Sequence, residues 1–195
     1  MKPILALDVD GTTGGLHPEW LQRYNRDYND TMTVSQIKAW EIHKFVKPEC
    51  GKHIYDYLQD PSLYDNVKPI DGAVEYVDCL RPMYEIMHVT HATTGHKGRK
   101  LRWLMEHKLI MPGERYLEQE NKSLVPADFL VDDYDKNVRD FRGNGNKGVG
   151  ILFGQEWNKE FIELNRVDGW KELFYYLKDY AFFSKRKAFY VYALR

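Results

Sequence analysis

Cysteine is nearly absent from this chain of 195 residues: Cys50 and Cys79 are its two representatives, and neither belongs to a Cys-x-x-Cys pair. A disulfide framework is thereby excluded, and both read as reduced thiols of a cytoplasmic protein. On that reading the sequons Asn29-Asp30-Thr31 and Asn121-Lys122-Ser123 carry no sugar. Long apolar runs are missing as well, since no stretch approaches the roughly 18–20 residues that a membrane-spanning helix needs. Asp8 arrives too early to leave room for a signal-peptide apolar region, so secretion is not expected. Charge of one sign is not in excess either: 28 Lys and Arg face 29 Asp and Glu for a net −1, without the basic surplus that holds nucleic acid or an anionic membrane surface. Repeats and low-complexity tracts are lacking. What remains is 43% hydrophobic and 29% charged, a chain able to bury a core at a length suited to one domain with a modest insertion.

Pro3-Ile4-Leu5-Ala6-Leu7 is a short apolar run that stops at Asp8-Val9-Asp10-Gly11, as a buried parallel strand does when it delivers polar groups to a sheet edge. From Gly14 to Pro69 the text turns to Tyr, Trp, Asp and Lys, with helix-like stretches over 17–28 and 35–45 and no clear strand. A helical insertion after the first strand is expected there. Ala73, Val74, Tyr76, Val77 and Leu80 then have helical spacing, and Pro82 closes that helix before a strand over 84–90. Leu101, Leu104, Met105 and Leu109 predict an apolar helical face within 98–110, and strand signals follow at 115–118, at Phe129-Leu130-Val131 and over 148–153. Strands alternating with helices predict an α/β fold with a mostly parallel sheet, whose ligand site lies at the carboxyl ends of the strands. The expected division is a core of residues 1–13 and 70–154, an insertion of 14–69 and an extension of 155–195. That extension holds 12 of the 28 aromatics, so it is expected to pack as a helical pair on the sheet or to present a partner surface.

The predicted strand ends carry Asp8 and Asp10, Thr90, and Asp132-Asp133. Two carboxylates two residues apart at a turning strand end can divide labour, one facing a phosphorus atom and the other the leaving oxygen. A phosphate monoester is a dianion that repels carboxylates, so such a site needs a divalent cation and fixed positive charge. Asp133 or Asp132 offers a further hard-oxygen ligand suited to Mg²⁺, and Lys122 the cation. Three other patterns carry less. Gly143-Asn144-Gly145-Asn146-Lys147-Gly148 satisfies G-x-G-x-x-G but precedes a strand and opens no helix, so it reads as a loop. Strand alternation separates His88 from His91, which argues against a transition-metal site with His96. Lys185-Arg186-Lys187 is too short a basic run for nucleic acid.

Asp8-Val9-Asp10-Gly11-Thr12 resembles the first motif, DxDGT, of the haloacid-dehalogenase-like phosphohydrolases, and Thr90, Lys122 and Asp132-Asp133 fall in the order of that superfamily's later motifs. The stretches 20–28, Trp40-Glu41-Ile42-His43-Lys44-Phe45, Pro69-Ile70-Asp71-Gly72-Ala73 and 122–133 are similar to the cytosolic type C 5′(3′)-deoxyribonucleotidases, over Lys2 to Phe153. The chain differs from that family at Thr12-Thr13-Gly14-Gly15 and in placing His91 after Thr90. The resemblance implies a Rossmann-like sheet with a small helical cap inserted after strand 1, and a Mg²⁺-dependent phosphomonoesterase of nucleoside monophosphates that works through an aspartyl-phosphate. It implies Asp8 as nucleophile and Asp10 as general acid and base. It assigns Mg²⁺ to the Asp8 carboxylate, the Asp10 main-chain carbonyl and Asp133, with Asp132 behind them as a reserve ligand. Thr90, His91 and Lys122 are implied to bind phosphate, and a homodimer is implied as the assembly. Trp40 is either a wall of the substrate pocket or plain core. The alternatives are a phosphatase of another small phosphate ester and a catalytically silent binding protein that uses its aromatic extension.

Overall fold

The computed structural model describes the backbone at residues 2–91 and 98–193, and side chains there except at 146 and 182–193. His96 and the side chains of Lys185-Arg186-Lys187 lie outside the described residues.

Ile4–Asp8 forms strand β1, and its residues Leu5, Ala6 and Leu7 are fully buried because both faces of the strand are covered. Leu5, Leu7 and Val9 join one hydrophobic cluster, whereas Ala6 joins Met87, Val89 and Leu130 in a second on the opposite face. After a two-residue strand β2 (Gly14–Gly15) come helix α1 (Leu16–Tyr28), strand β3 (Lys68–Pro69) and helix α2 (Ala73–Leu80). Strand β4 (Glu85–Thr90), helix α3 (Arg99–Glu106), strands β5 (Arg115–Glu118) and β6 (Phe129–Asp132), and helix α4 (Asp135–Asp140) follow. Strands β7 (Val149–Phe153) and β8 (Arg166–Val167) and the long helix α5 (Trp170–Ala193) complete the chain. The six-stranded sheet runs β5-β4-β1-β6-β7-β8, with every neighbouring pair parallel. Leu7 sits opposite His88 on one side and Val131 on the other, so the ends of β1, β4 and β6 come out side by side. Among the described residues no helix is long and apolar enough to cross a membrane.

Between β1 and α2, β2 pairs antiparallel with β3 and forms a two-stranded neck at the base of residues 16–67. The helix expected over 35–45 is replaced by single 3₁₀ turns at Val34–Gln36 and Ile42–Lys44. Ile37 and Ile42, which flank and open these turns, are both buried. In α3 the buried face is Lys100, Trp103 and Leu104, whereas Met105, expected on the apolar face, is exposed.

Among the described residues after Phe153, Trp157, Val167, Trp170, Leu173 and Leu177 join the main hydrophobic core. β8 extends the sheet beyond β7, and α5 packs on α2 through a face that buries Trp170, Leu173 and Leu177. The Trp170 Nε1–H donates to the Thr12 carbonyl at 3.0 Å, and the Tyr84 hydroxyl donates to the Leu177 carbonyl at 2.7 Å. In place of the expected helical pair, the described residues form a 3₁₀ turn at Glu156–Asn158, strand β8 and helix α5.

His88 lies in the middle of β4, fully buried, with both ring nitrogens unpartnered among the described residues. Burial, reinforced by the charge of Arg81, pushes its pKa from 6.5 down to about 3. The unfolded chain therefore takes up a proton below pH 6.5 that the folded chain refuses until about pH 3. Stability owed to a neutral His88 is complete above pH 6.5 and is lost as the pH falls through that window. Urea unfolding should show the wild type losing about 2 kcal/mol more than His88→Leu between neutral pH and about pH 5. Equal losses would show that His88 takes no part in acid sensitivity.

Candidate active site

β1 ends in Asp8, and the chain turns at once through a loop closed by its own backbone. The Thr13 and Gly14 N–H groups donate to the Val9 carbonyl at 3.1 and 2.7 Å, and the Gly11 N–H donates to the Gly14 carbonyl at 2.9 Å. Gly11 has φ +75°, and a Cβ there would lie 2.1 Å from Asp133 Oδ2, so both conformation and space require glycine. This turn brings Asp10 back over the sheet edge. Asp132 ends β6 with Asp133 after it, Thr90 ends β4, and Lys122 sits in a single 3₁₀ turn after β5.

Lys122 is buried and donates to Asp8 Oδ1 and to Asp132 Oδ2, the latter at 2.6 Å. Asp132 is further satisfied by the Tyr134 N–H at 2.9 Å and by Asn137 Nδ2 of α4 at 3.1 Å. All its hydrogen bonds thus serve to hold Lys122 and the turn into α4. Oxygens of Asp8, Asp132 and Asp133 lie within 4.8 Å of one another. Burial pushes the Asp8 carboxyl up to about 7, Lys122 opposing and Asp132 and Asp10 adding to the rise. Burial also raises Asp133 well above the carboxylate range, with repulsion from Asp8 and Asp132. Burial by itself would lower Lys122, but Asp132 and Asp8 outweigh it and keep it a firm cation. Among the described residues one lysine stands against the three buried carboxylates, which leaves the cluster short of positive charge, and its donors are all hard oxygens. Such a set fits a small divalent cation.

Asp10 stands outside this cluster. Its carboxylate pairs with Lys100, the second residue of α3, at 2.5 Å from Oδ2. Lys100 is missing from the residues singled out by motif. A signal was nevertheless present: at i+3 and i+4 from Lys100 lie Trp103 and Leu104, so the lysine shares the helix face that is buried.

Above these groups opens a cavity of about 420 Å³ lined by Asp8, Asp10, Thr90, His91, Lys100, Lys122, Asp132 and Asp133 on the sheet side. His17, Trp20, Trp40, Tyr55 and Trp157 line it on the other. Trp40 is 45% exposed and stacks on Tyr134 with ring centroids 4.0 Å apart, which sets aside the core reading. His43 hydrogen-bonds the Tyr55 hydroxyl at 3.0 Å. His17 had no motif to mark it; its ring packs against Trp157 at 4.0 Å, and burial pushes its pKa down to about 4 against the pull of Asp10. The segment after β7 braces the acids as well. Gln155 Nε2 donates to the Gly11 carbonyl at 2.6 Å, and Asn158 Nδ2 donates to the Asp133 carbonyl at 2.7 Å. No sequence signal reached these two contacts, since neither belongs to a motif.

A parallel sheet with an Asp-x-Asp turn after its central strand, a buried lysine and a further pair of acids defines a phosphohydrolase of the haloacid-dehalogenase-like class. Solved structures agree on the fold. A haloacid-dehalogenase-like hydrolase from Streptococcus pneumoniae superposes with a TM-score of 0.60 at 10% identity, covering 90% of this chain and 98% of that one. One from Bacillus subtilis, solved bound to magnesium, gives 0.57 at 14% identity, covering 91% and 99%. Residues 2–180 match the family described as 5′ nucleotidase, deoxy (pyrimidine), cytosolic type C, and the chain belongs to that family of phosphoric-monoester hydrolases. The match runs beyond Phe153, where the resemblance read from the sequence stopped. A 5′(3′)-deoxyribonucleotidase of Clostridium acetobutylicum is 35% identical over 174 residues, 88% of this chain and 92% of that protein. One of Bacillus subtilis is 28% identical over 175 residues, 89% and 97%.

If the acidic cluster receives Mg²⁺, calorimetry should show the wild-type melting temperature rising on its addition. A concentration a hundredfold above Kd corresponds to about 2.7 kcal/mol. Gly11→Ala, which displaces Asp133, should lose that rise. A wild-type melting temperature indifferent to Mg²⁺ would contradict the assignment.

Proposed function

We propose that the chain hydrolyses nucleoside monophosphates, the deoxyribonucleotides of its relatives' names foremost, through an aspartyl-phosphate on Asp8. The observation that carries this reading is the separation of the two acids: Asp8 is locked by Lys122 on the sheet edge, and Asp10 is held apart by Lys100 at the same cavity. Asp8 has Oδ1 engaged, which leaves Oδ2 as the attacking oxygen. Attack forms the Asp8–phosphorus bond and breaks the ester bond, while Asp10 gives its proton to the departing sugar oxygen. Asp10 then takes a proton from the water that attacks phosphorus; the Asp8–phosphorus bond breaks, and Asp8 and inorganic phosphate are released. Thr90, His91 and Lys122 serve the phosphoryl oxygens. Mg²⁺ would be held by Asp8, the Asp10 carbonyl and Asp133, and when bound it would offset the charge of the phosphate dianion. Asp132 stays behind them, fixing Lys122.

The division of the chain belongs to the same proposal. Residues 1–13 and 70–154 carry the acids, 14–69 act as a cap, and 155–195 brace the acid-bearing loops through Gln155, Asn158 and Trp170. The cap's aromatic rings, with Trp40 over Tyr134, make a slot for a nucleobase above the sugar, and a cavity of this size suits a mononucleotide.

Phosphate release with Mg²⁺ across deoxy- and ribonucleoside 5′- and 3′-monophosphates and several sugar phosphates tests the reading, beside EDTA and Asp8→Asn. Turnover on deoxynucleotides should disappear in both controls. Turnover confined to sugar phosphates would remove the nucleotide and keep the chemistry, and turnover in neither class would leave a binding protein.

A further inference from the structure

Lys100 is a buried cation that the reaction as written does not use. Its Nζ donates to Asp10 Oδ2 at 2.5 Å, to Thr90 Oγ1 at 3.0 Å and to the His91 carbonyl at 2.8 Å. An ammonium has three N–H donors, and these three acceptors take them all, so none is left for a phosphoryl oxygen. The ammonium also lies 5.7 Å from the centre of the Tyr64 ring. Its setting is otherwise unfavourable: it is 4% exposed, and it stands in the first turn of α3, where the helix dipole disfavours positive charge. Lysine in such a place is held there by what it binds.

What it binds is divided unequally. Lys100 engages Oδ2 of Asp10, while Oδ1 is buried and without a partner among the described residues. Thr90 Oγ1, by accepting from Lys100, keeps its own proton for donation, here toward the His91 carbonyl at 3.3 Å. We infer that Lys100 is a positioning residue that anchors Asp10 by Oδ2, so that Oδ1 is the oxygen that exchanges its proton with the leaving group. The inference rests on the proposed role of Asp10 as acid. Lys100 thus acts on the departure of the sugar oxygen, whereas Lys122 acts on the nucleophile. The two lysines serve opposite ends of the bond that breaks.

The test reads release of the leaving group in the first turnover, by rapid quench, because the later task of Asp10 as base is common to every substrate. It compares a deoxynucleoside 5′-monophosphate, whose alkoxide needs a proton to leave, with p-nitrophenyl phosphate, whose nitrophenolate leaves without one. Lys100→Met should slow nucleoside release in that turnover on the order of 10²–10³-fold, within the range for general acid catalysis. Nitrophenolate release in that turnover should slow less than about tenfold, with the half-saturating concentration of both substrates little changed. Asp10→Asn should show the same asymmetry. Equal slowing of release from both substrates, or a half-saturating concentration raised for both, would make Lys100 a structural or phosphate-binding residue and overturn the inference. If Asp10→Asn shows the asymmetry and Lys100→Met does not, the inference alone fails. If Asp10→Asn lacks it, the acid assignment fails and the inference with it. Lys100→Gln, which keeps a donor without the charge, is the second variant. Failure of both variants to fold, read by circular dichroism, would also count against a positioning role.

Discussion

The carboxyl edge of the sheet is governed by repulsion: Asp8, Asp132 and Asp133 are buried within 4.8 Å of one another, with Lys122 as their one lysine partner among the described residues. Burial, with repulsion inside the cluster, raises the Asp8 and Asp133 carboxyls, and such a cluster opposes folding unless the surrounding chain enforces it. Much of the local structure does so. Parallel register sets the ends of β1 and β6 side by side, Gly11 leaves room for Asp133, and Asp132 spends its hydrogen bonds on Lys122, Asn137 and the Tyr134 N–H. An excess of buried negative charge is stability given up, and in the proposed reaction it is what would draw a divalent cation and, through it, a phosphate.

A second constraint keeps the two acids of the Asp-x-Asp turn distinct. Asp8 faces Lys122 from the β5–β6 side, and Asp10 faces Lys100 from α3. Different lysines on different elements give two carboxylates, two positions apart in the chain, unlike surroundings. The division of labour in the proposed reaction depends on that difference.

Asp8, Asp10, Thr90 and Asp132-Asp133 were legible in the sequence because each ends or follows an apolar run whose burial is local and periodic, whereas Lys122, after Glu118-Gln119-Glu120-Asn121, was legible only through its place in the order of the motifs. The parallel sheet was legible from the alternation of strands with helices. Lys100 was not, since a lysine in a helical pattern reads as solvated until the face bearing Trp103 and Leu104 is known to be the buried one. Gln155 and Asn158 act across 144 and 25 positions of chain, on the Gly11 and Asp133 carbonyls, and side chains that serve distant backbone leave no periodic trace. The aromatic richness after Phe153 marked burial, but the partners of Trp170 and Trp157, the Thr12 carbonyl and the His17 ring, come from the other end of the chain. Within 35–45, composition allowed a helix, but the chain forms separate 3₁₀ turns with Ile37 and Ile42 buried beside them.

The role of Asp8 is tested most directly by trapping the enzyme during turnover of a deoxynucleotide, quenching in acid and locating phosphoryl groups by mass spectrometry of the digest. The expected result is a hydroxylamine-sensitive phosphoryl group on Asp8, absent when substrate is omitted and absent in Asp8→Asn. A phosphoryl group on any other residue, or full turnover by Asp8→Asn, would contradict the mechanism at its first step.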